Sequence, residues 1–155
     1  MITLLGKYVA TLYRNELKYI NTVMKPYGLG YSSYYFLLYI SKNEGTSQKA
    51  LCRSLSLDEA MATRAMKRLE EEGFVLRKRE APNPHSNALY LTEKGWELVP
   101  KIKAALTELW SGLTETLSPE ETDTLTELLH TLVKNASSQV LEKNEKEDSS
   151  HGQSQ

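Results

Sequence analysis

Residues 56–73 read SLDEAMATRAMKRLEEEG. Ser56 and Glu59 have the spacing of a capping box, in which a serine oxygen takes one orphan amide and a glutamate returns a bond to the serine amide. Ala62, Ala65, Met66 and Leu69 then recur at helical spacing and define one buried face. The opposite face carries Ala60, Met61, Thr63, Arg64 and Lys67. It therefore offers two cations, a hydroxyl and small or apolar groups close to the helix N-terminus. Gly73 supplies the left-handed conformation that stops such a helix.

The segment before it, TSQKALCRSL, reads as a shorter helix capped by Thr46 or Ser47, so the pair predicts a helix-turn-helix. In that motif the N-terminal part of the second helix meets base edges. Cys52 falls where the two helices cross, as a small buried residue. A redox role would want an exposed thiolate among cations, and Arg53, next in sequence, faces elsewhere on a helix.

Upstream, residues 2–27 read as one long helix. Leu5, Val9, Leu12, Tyr13, Leu17, Ile20 and Met24 form adjoining stripes wider than one neighbour needs. Pro26 and Gly28 close it. Ser32 or Ser33 can cap a second helix to about Lys42, whose centre, Tyr34 to Ile40, is apolar nearly all round. Its length alone would permit a strand, but the glycine turn and serine cap favour a helix. Downstream of Gly73 the period shifts towards two. Residues 74–80 and 87–91 predict two strands flanking a proline-rich tip over 81–86. Thr92 caps a fifth helix of about 24 residues, with Leu98, Ile102, Leu106, Leu109 and Leu113 inward and Pro100 as a kink. Ser118 and Glu121 form a second capping box around Pro119, opening a helix faced by Leu125, Leu128, Leu129, Leu132 and Val133.

A length of 155 residues, 40% of them hydrophobic, suits one domain. No apolar run is long enough to span a membrane, and residues 1–5, MITLL, lack the basic start of a secretory signal. The single cysteine fits a reducing, cytoplasmic setting. A net charge of −1 hides a local asymmetry: Arg77, Lys78 and Arg79 are basic, whereas 142–148 is mostly acidic. For nucleic acid the local patch decides.

Leu51-Cys52, Thr63-Arg64, Leu69-Glu-Glu-Glu-Gly73-Phe-Val, Arg77, Glu80 and Leu91-Thr-Glu-Lys-Gly95, in this order and spacing, resemble the MarR family of bacterial transcription regulators. The resemblance implies a fold that is mainly α with a small β-hairpin: a winged helix-turn-helix with N- and C-terminal dimerisation helices. It places one such domain at 1–141, with a DNA-binding core at about 30–92 and dimerisation segments at 1–27 and 93–141. Composition predicts a disordered tail over 142–155. The resemblance further implies a homodimer on double-stranded DNA, a repressor released by a small aromatic or amphipathic ligand. Ser47, Gln48, Lys49, Ala60, Met61, Thr63, Arg64, Lys67, Arg77, Lys78, Arg79 and His85 are then the DNA-contact candidates. Two residues depart from the family pattern. His85 stands where a wing arginine is usual, and Met61 where a hydroxyl is usual. The missing arginine is the one feature favouring an alternative, the same fold used as a protein-interaction module.

Nine tyrosines, several clustered from Tyr31 to Tyr39, read either as aromatic packing or as a ligand pocket. Tyr13, Tyr34, Tyr35 and Trp96 are the lining that the resemblance favours. His85, His130 and His151 have no metal-ligand spacing. No nucleophile–base pair, phosphate-cradling loop or cofactor fingerprint stands out, so no enzyme, metal or cofactor is expected. Glu70, Glu71 and Glu72 read as solvated helix surface, able also to hold Arg77 or Lys78.

Overall fold

The computed structural model describes the backbone of residues 1–79 and 87–151, with side chains except those of Tyr31 and 139–151. The expected wing tip, with Glu80 and His85, lies outside the described residues, as do 152–155. Two compact units are present, Met1–Gly112 and Leu113–Gln155.

In the first unit, helix α1 (Ile2–Met24) runs into a 3₁₀ turn at Lys25–Tyr27, and a second 3₁₀ turn at Tyr31–Ser33 leads into α2 (Tyr34–Lys42). Ser33 stands at the N-cap position without making a side-chain cap bond, so the expected serine cap is replaced by the 3₁₀ turn. Tyr34, Phe36, Leu37 and Ile40 are buried, as an all-round apolar segment requires. Strand β1 (Thr46–Ser47) and helices α3 (Gln48–Leu55) and α4 (Glu59–Glu71) follow, then β2 (Val75–Arg79), β3 (Asn87–Leu91) and α5 (Glu93–Leu113). Ile20, Met24, Phe36, Leu37, Ile40, Leu51, Met66, Leu69, Phe74, Leu89, Leu98 and Ile102 fill one core fed by every helix of this unit.

The expected two-stranded hairpin proves to be a three-stranded antiparallel sheet in the order β1-β3-β2. Thr46 pairs with Leu89 and Ser47 with Ala88. Two residues are too few to show a period, so β1 left no pattern to read. Ser47 also caps α3, accepting from the Ala50 amide at 3.1 Å.

The start of α4 needs a correction as well. Its N-cap is Asp58, whose Oδ1 accepts from the Met61 amide at 2.9 Å. Ser56 instead closes α3 in the left-handed region, at φ 52°. The turn of the helix-turn-helix is therefore Ser56–Asp58, and the Ser56–Glu59 spacing was coincidental. At the other end Gly73 adopts φ 75°, with its amide on Glu70 O at 3.0 Å and the Phe74 amide on Leu69 O at 2.9 Å. That double closure is a Schellman motif.

Thr92 joins three elements. Its Oγ1 donates to Gly73 O at 2.7 Å and accepts from the Gly95 amide at 3.1 Å, capping α5. The approach is close enough that a Cβ on Gly95 would lie 2.3 Å from Phe74 O. Leu98, Val99, Ile102 and Ala105 are buried along α5, whereas Leu113, expected inward, is 45% exposed.

In the second unit, Ser118 and Glu121 form the expected reciprocal capping box, at 2.8 and 3.2 Å. Helix α6 (Pro119–His151) continues past Glu142, where composition predicts disorder. Leu125, Leu128, Leu132 and Val133 are exposed. No helix of the described residues is long and apolar enough to cross a membrane.

Candidate nucleic-acid interface

Asp58 at one end and the Schellman closure at the other fix the length of α4, and Ala62, Met66 and Leu69 fix its rotation against the core. The outward face then follows. Ala60, Thr63, Arg64 and Lys67 are exposed and Met61 is half-buried. Lys67 pairs with Glu71 at 3.7 Å, and this exposed pair leaves its ammonium available. Among the described residues no ion pair or side-chain hydrogen bond engages Arg64.

Other candidates are committed within the protein. Arg77 Nε donates to Glu70 Oε1 at 2.7 Å and its Nη2 to Gln48 Oε1 at 2.6 Å. Gln48 Nε2 in turn donates to Thr63 Oγ1 at 2.9 Å, and Thr63 donates to Glu59 O at 2.8 Å. This line of bonds ties strand β2 to α3 and both to α4. Of the acidic run, Glu70 is thus structural; Glu71 and Glu72 pair with Lys67 and Arg68 four residues back. Arg68 also donates to Gly28 O at 2.8 Å, a tie that no local pattern announced. On the wing strands Lys78 lies over the Tyr90 ring at 4.8 Å, and Arg79 is exposed opposite Asn87. Lys49 is exposed on α3.

The aromatic candidates divide. Tyr34 and Tyr35 meet edge to face at 5.0 Å. Tyr34 donates its hydroxyl to Glu16, and Trp110 Nε1 donates to the other oxygen of Glu16 at 2.7 Å. Burial first, then the Glu16 bond and charge, then Tyr13 and Tyr35, raise the Tyr34 phenol far above its ordinary value, so it stays a donor. Tyr13 and Trp96 are exposed, and Trp96 makes no ring contact among the described residues. The sequence reading missed Glu16 and Trp110, which lie 94 residues apart. Among the described residues no group of three His, Cys, Asp or Glu side chains converges as a metal site.

A helix-turn-helix whose second helix is turned outward, backed by a three-stranded sheet with a hairpin wing, defines a winged helix-turn-helix protein. The model of the MarR family matches residues 31–83, the span from the 3₁₀ turn before α2 through strand β2. A MarR transcriptional regulator from Methanosarcina mazei Go1 superposes with TM-score 0.80 at 30% identity, covering 86% of this chain and 96% of that one. A Listeria monocytogenes protein assigned to the same family, complexed with 26mer DNA, superposes with TM-score 0.85 at 25% identity, covering 90% and 93%. The HTH-type transcriptional regulator BilQ of Clostridioides difficile (strain CD3) is 28% identical over 126 residues, 81% of this chain and 85% of its own. The chain belongs to the MarR family of transcriptional regulators.

Proposed function

We propose that this chain is a cytoplasmic, homodimeric repressor that binds a specific operator in double-stranded DNA and leaves it on binding a small aromatic or amphipathic ligand. The observation that carries the DNA reading is the outward face of α4, where Arg64, unpaired among the described residues, stands beside Thr63, Ala60 and Met61 on a helix fixed at both ends. A cation, a hydroxyl and small groups at one helix N-terminus suit a major groove, where arginine reads guanine and methyl groups meet thymine. The dimer reading rests on exposed apolar rows: Leu5, Tyr8, Val9 and Leu12 on α1, and Leu128, Leu132 and Val133 on α6. Surfaces of that kind mark association, and a two-fold pair would set two recognition helices about one DNA turn apart. The ligand reading rests on the polar groups of Tyr34 and Trp110 converging on Glu16 beside an aromatic pair.

The test is a gel shift of the purified chain with DNA from upstream of its own gene, against a scrambled duplex at matched salt. Retention of the upstream fragment at protein concentrations that leave the scrambled one free is expected. Equal retention of both would sink the operator reading. Release of the retained fragment by a small uncharged aromatic compound such as phenol probes the ligand part.

A further inference from the structure

The hydroxyl of Thr63 ends a chain of hydrogen bonds whose directions are all determined. Glu70 accepts from Arg77 Nε at 2.7 Å, and Arg77 Nη2 donates onward to Gln48 Oε1 at 2.6 Å. A guanidinium has donors only, so the oxygen of the Gln48 amide must face it. The amide nitrogen is therefore turned the other way, where Nε2 donates to Thr63 Oγ1 at 2.9 Å. Thr63 gives its own proton to Glu59 O at 2.8 Å. A hydroxyl has one proton and two lone pairs. Its proton and one lone pair are taken, leaving one lone pair and the methyl group on an exposed side chain.

The geometry points to Thr63 as a specificity-determining residue that can accept from a base but not donate to it. In the major groove adenine and cytosine present an amino group, whereas guanine presents only the acceptors N7 and O6. Thr63 therefore favours adenine or cytosine at the base it faces and penalises guanine, because guanine brings a lone pair against a lone pair. A threonine ordinarily serves either sense; here the relay removes one of them. The inference rests on α4 being the DNA-recognition helix and specifies what that helix reads. Gln48 becomes a positioning residue, acting through Thr63. Threonine on a helix divides between two χ1 rotamers, and the Gln48 amide holds the one in which the proton stays on Glu59 O.

The experiment selects duplexes from a library with a randomised core, then measures affinity on single-base permutations of the selected site. It uses the full chain, T63S, T63V and Q48A, with melting temperature as the check on folding. For the parent, one position tolerates adenine or cytosine and loses roughly 5- to 150-fold in affinity with guanine. T63S retains that penalty, since the hydroxyl remains. T63V keeps the shape without the hydroxyl and loses it. Q48A still binds, with the penalty reduced severalfold because the rotamer is released. A parent that selects no sequence overturns the DNA reading and this inference with it. A parent that selects a site, but whose base profile T63V leaves unchanged, overturns this inference alone. So does a parent preference for guanine at the position T63V alters. An unaltered profile in Q48A removes Gln48 from the positioning role.

Discussion

Arg77 and Glu70 meet at 2.7 Å with both side chains less than one-third exposed, so the arginine that opens the wing is turned into the protein. Its charge is held by α4 and its second nitrogen by α3. Arg77→Ala should cost about 1–2 kcal/mol of stability, because it strips a charge-assisted bond and leaves Glu70 and Gln48 short of a donor. The urea midpoint should fall accordingly. The salt dependence of DNA binding should barely change, since no phosphate contact is lost. A steep loss in salt slope with unchanged stability would return Arg77 to the DNA surface.

Arg64→Ala should behave in the opposite way. The side chain is exposed and unpaired among the described residues, so its removal leaves the fold alone. On DNA it would forfeit a bidentate guanine contact or a phosphate pairing, lowering affinity about tenfold or more. Titrations at several salt concentrations separate the two: a base contact relaxes specificity at one position, a phosphate contact lowers the salt slope. Affinity equal to the parent would take Arg64 out of the interface.

These two arginines show where the sequence was legible. The outward face of α4 followed from its buried face, because a helix with Ala62, Met66 and Leu69 inside must turn Thr63 and Arg64 out. Arg77 could not be placed in the same way. A strand residue between the faces is assigned by its partners, and Gln48 lies 29 residues away. The mistaken cap had a local cause: Ser56 and Asp58 are both good capping residues two positions apart, and only the left-handed backbone at Ser56 decides between them. The Glu16–Trp110 tie had no local signature at all. Periodicity announces which face is buried, but not which polar group a buried donor will find.

Gly95→Ala should be among the most damaging small substitutions in the chain. The added Cβ would meet Phe74 O at 2.3 Å, and that oxygen already accepts from the Thr92 amide at 3.1 Å. Backbone on both sides leaves little to yield, so about 2–3 kcal/mol should be lost, or roughly 6–10 °C in melting temperature. Gly112→Ala, with open space around the new Cβ, is the control and should be neutral or slightly stabilising. Equal melting of both variants would mean the β3–α5 junction relaxes freely.

Burial, and then the charges of Glu59 and Asp58, push the Cys52 thiol above its ordinary value. The folded chain therefore keeps the thiol proton to higher pH than the unfolded chain, whose thiol titrates near 8.5. The stability linked to this group is complete below that value and is lost as pH rises through the folded value. Tyr34 and Tyr19, also raised, act only above about 10. Urea midpoints between about pH 8 and 10 should decline in the parent and decline less in Cys52→Ala. Parallel declines would show that the thiol is not the group responsible.

Leu128, Leu132 and Val133 are 50–64% exposed on α6, and Leu5 and Tyr8 are just over half exposed on α1. Side chains of this size gain about 1.5–3 kcal/mol each on full burial, so several together are a substantial drive to association. A second copy of the chain is the occupant proposed above, and α6 is the place to test it. Leu128 and Leu132 are one turn apart, so replacing both by glutamate puts two carboxylates on the middle of the apolar row. The parent should sediment as a dimer at micromolar concentration and the double variant as a monomer, with operator affinity falling because two half-sites are no longer held together. His130→Glu with Lys134→Glu adds the same two carboxylates on the polar side of the helix and should remain a dimer. That control separates loss of the interface from a general effect of charge on α6. If the parent is a monomer, or if the leucine variant still sediments as a dimer, then the exposed row has another use, and α6 is not what joins two copies of this regulator.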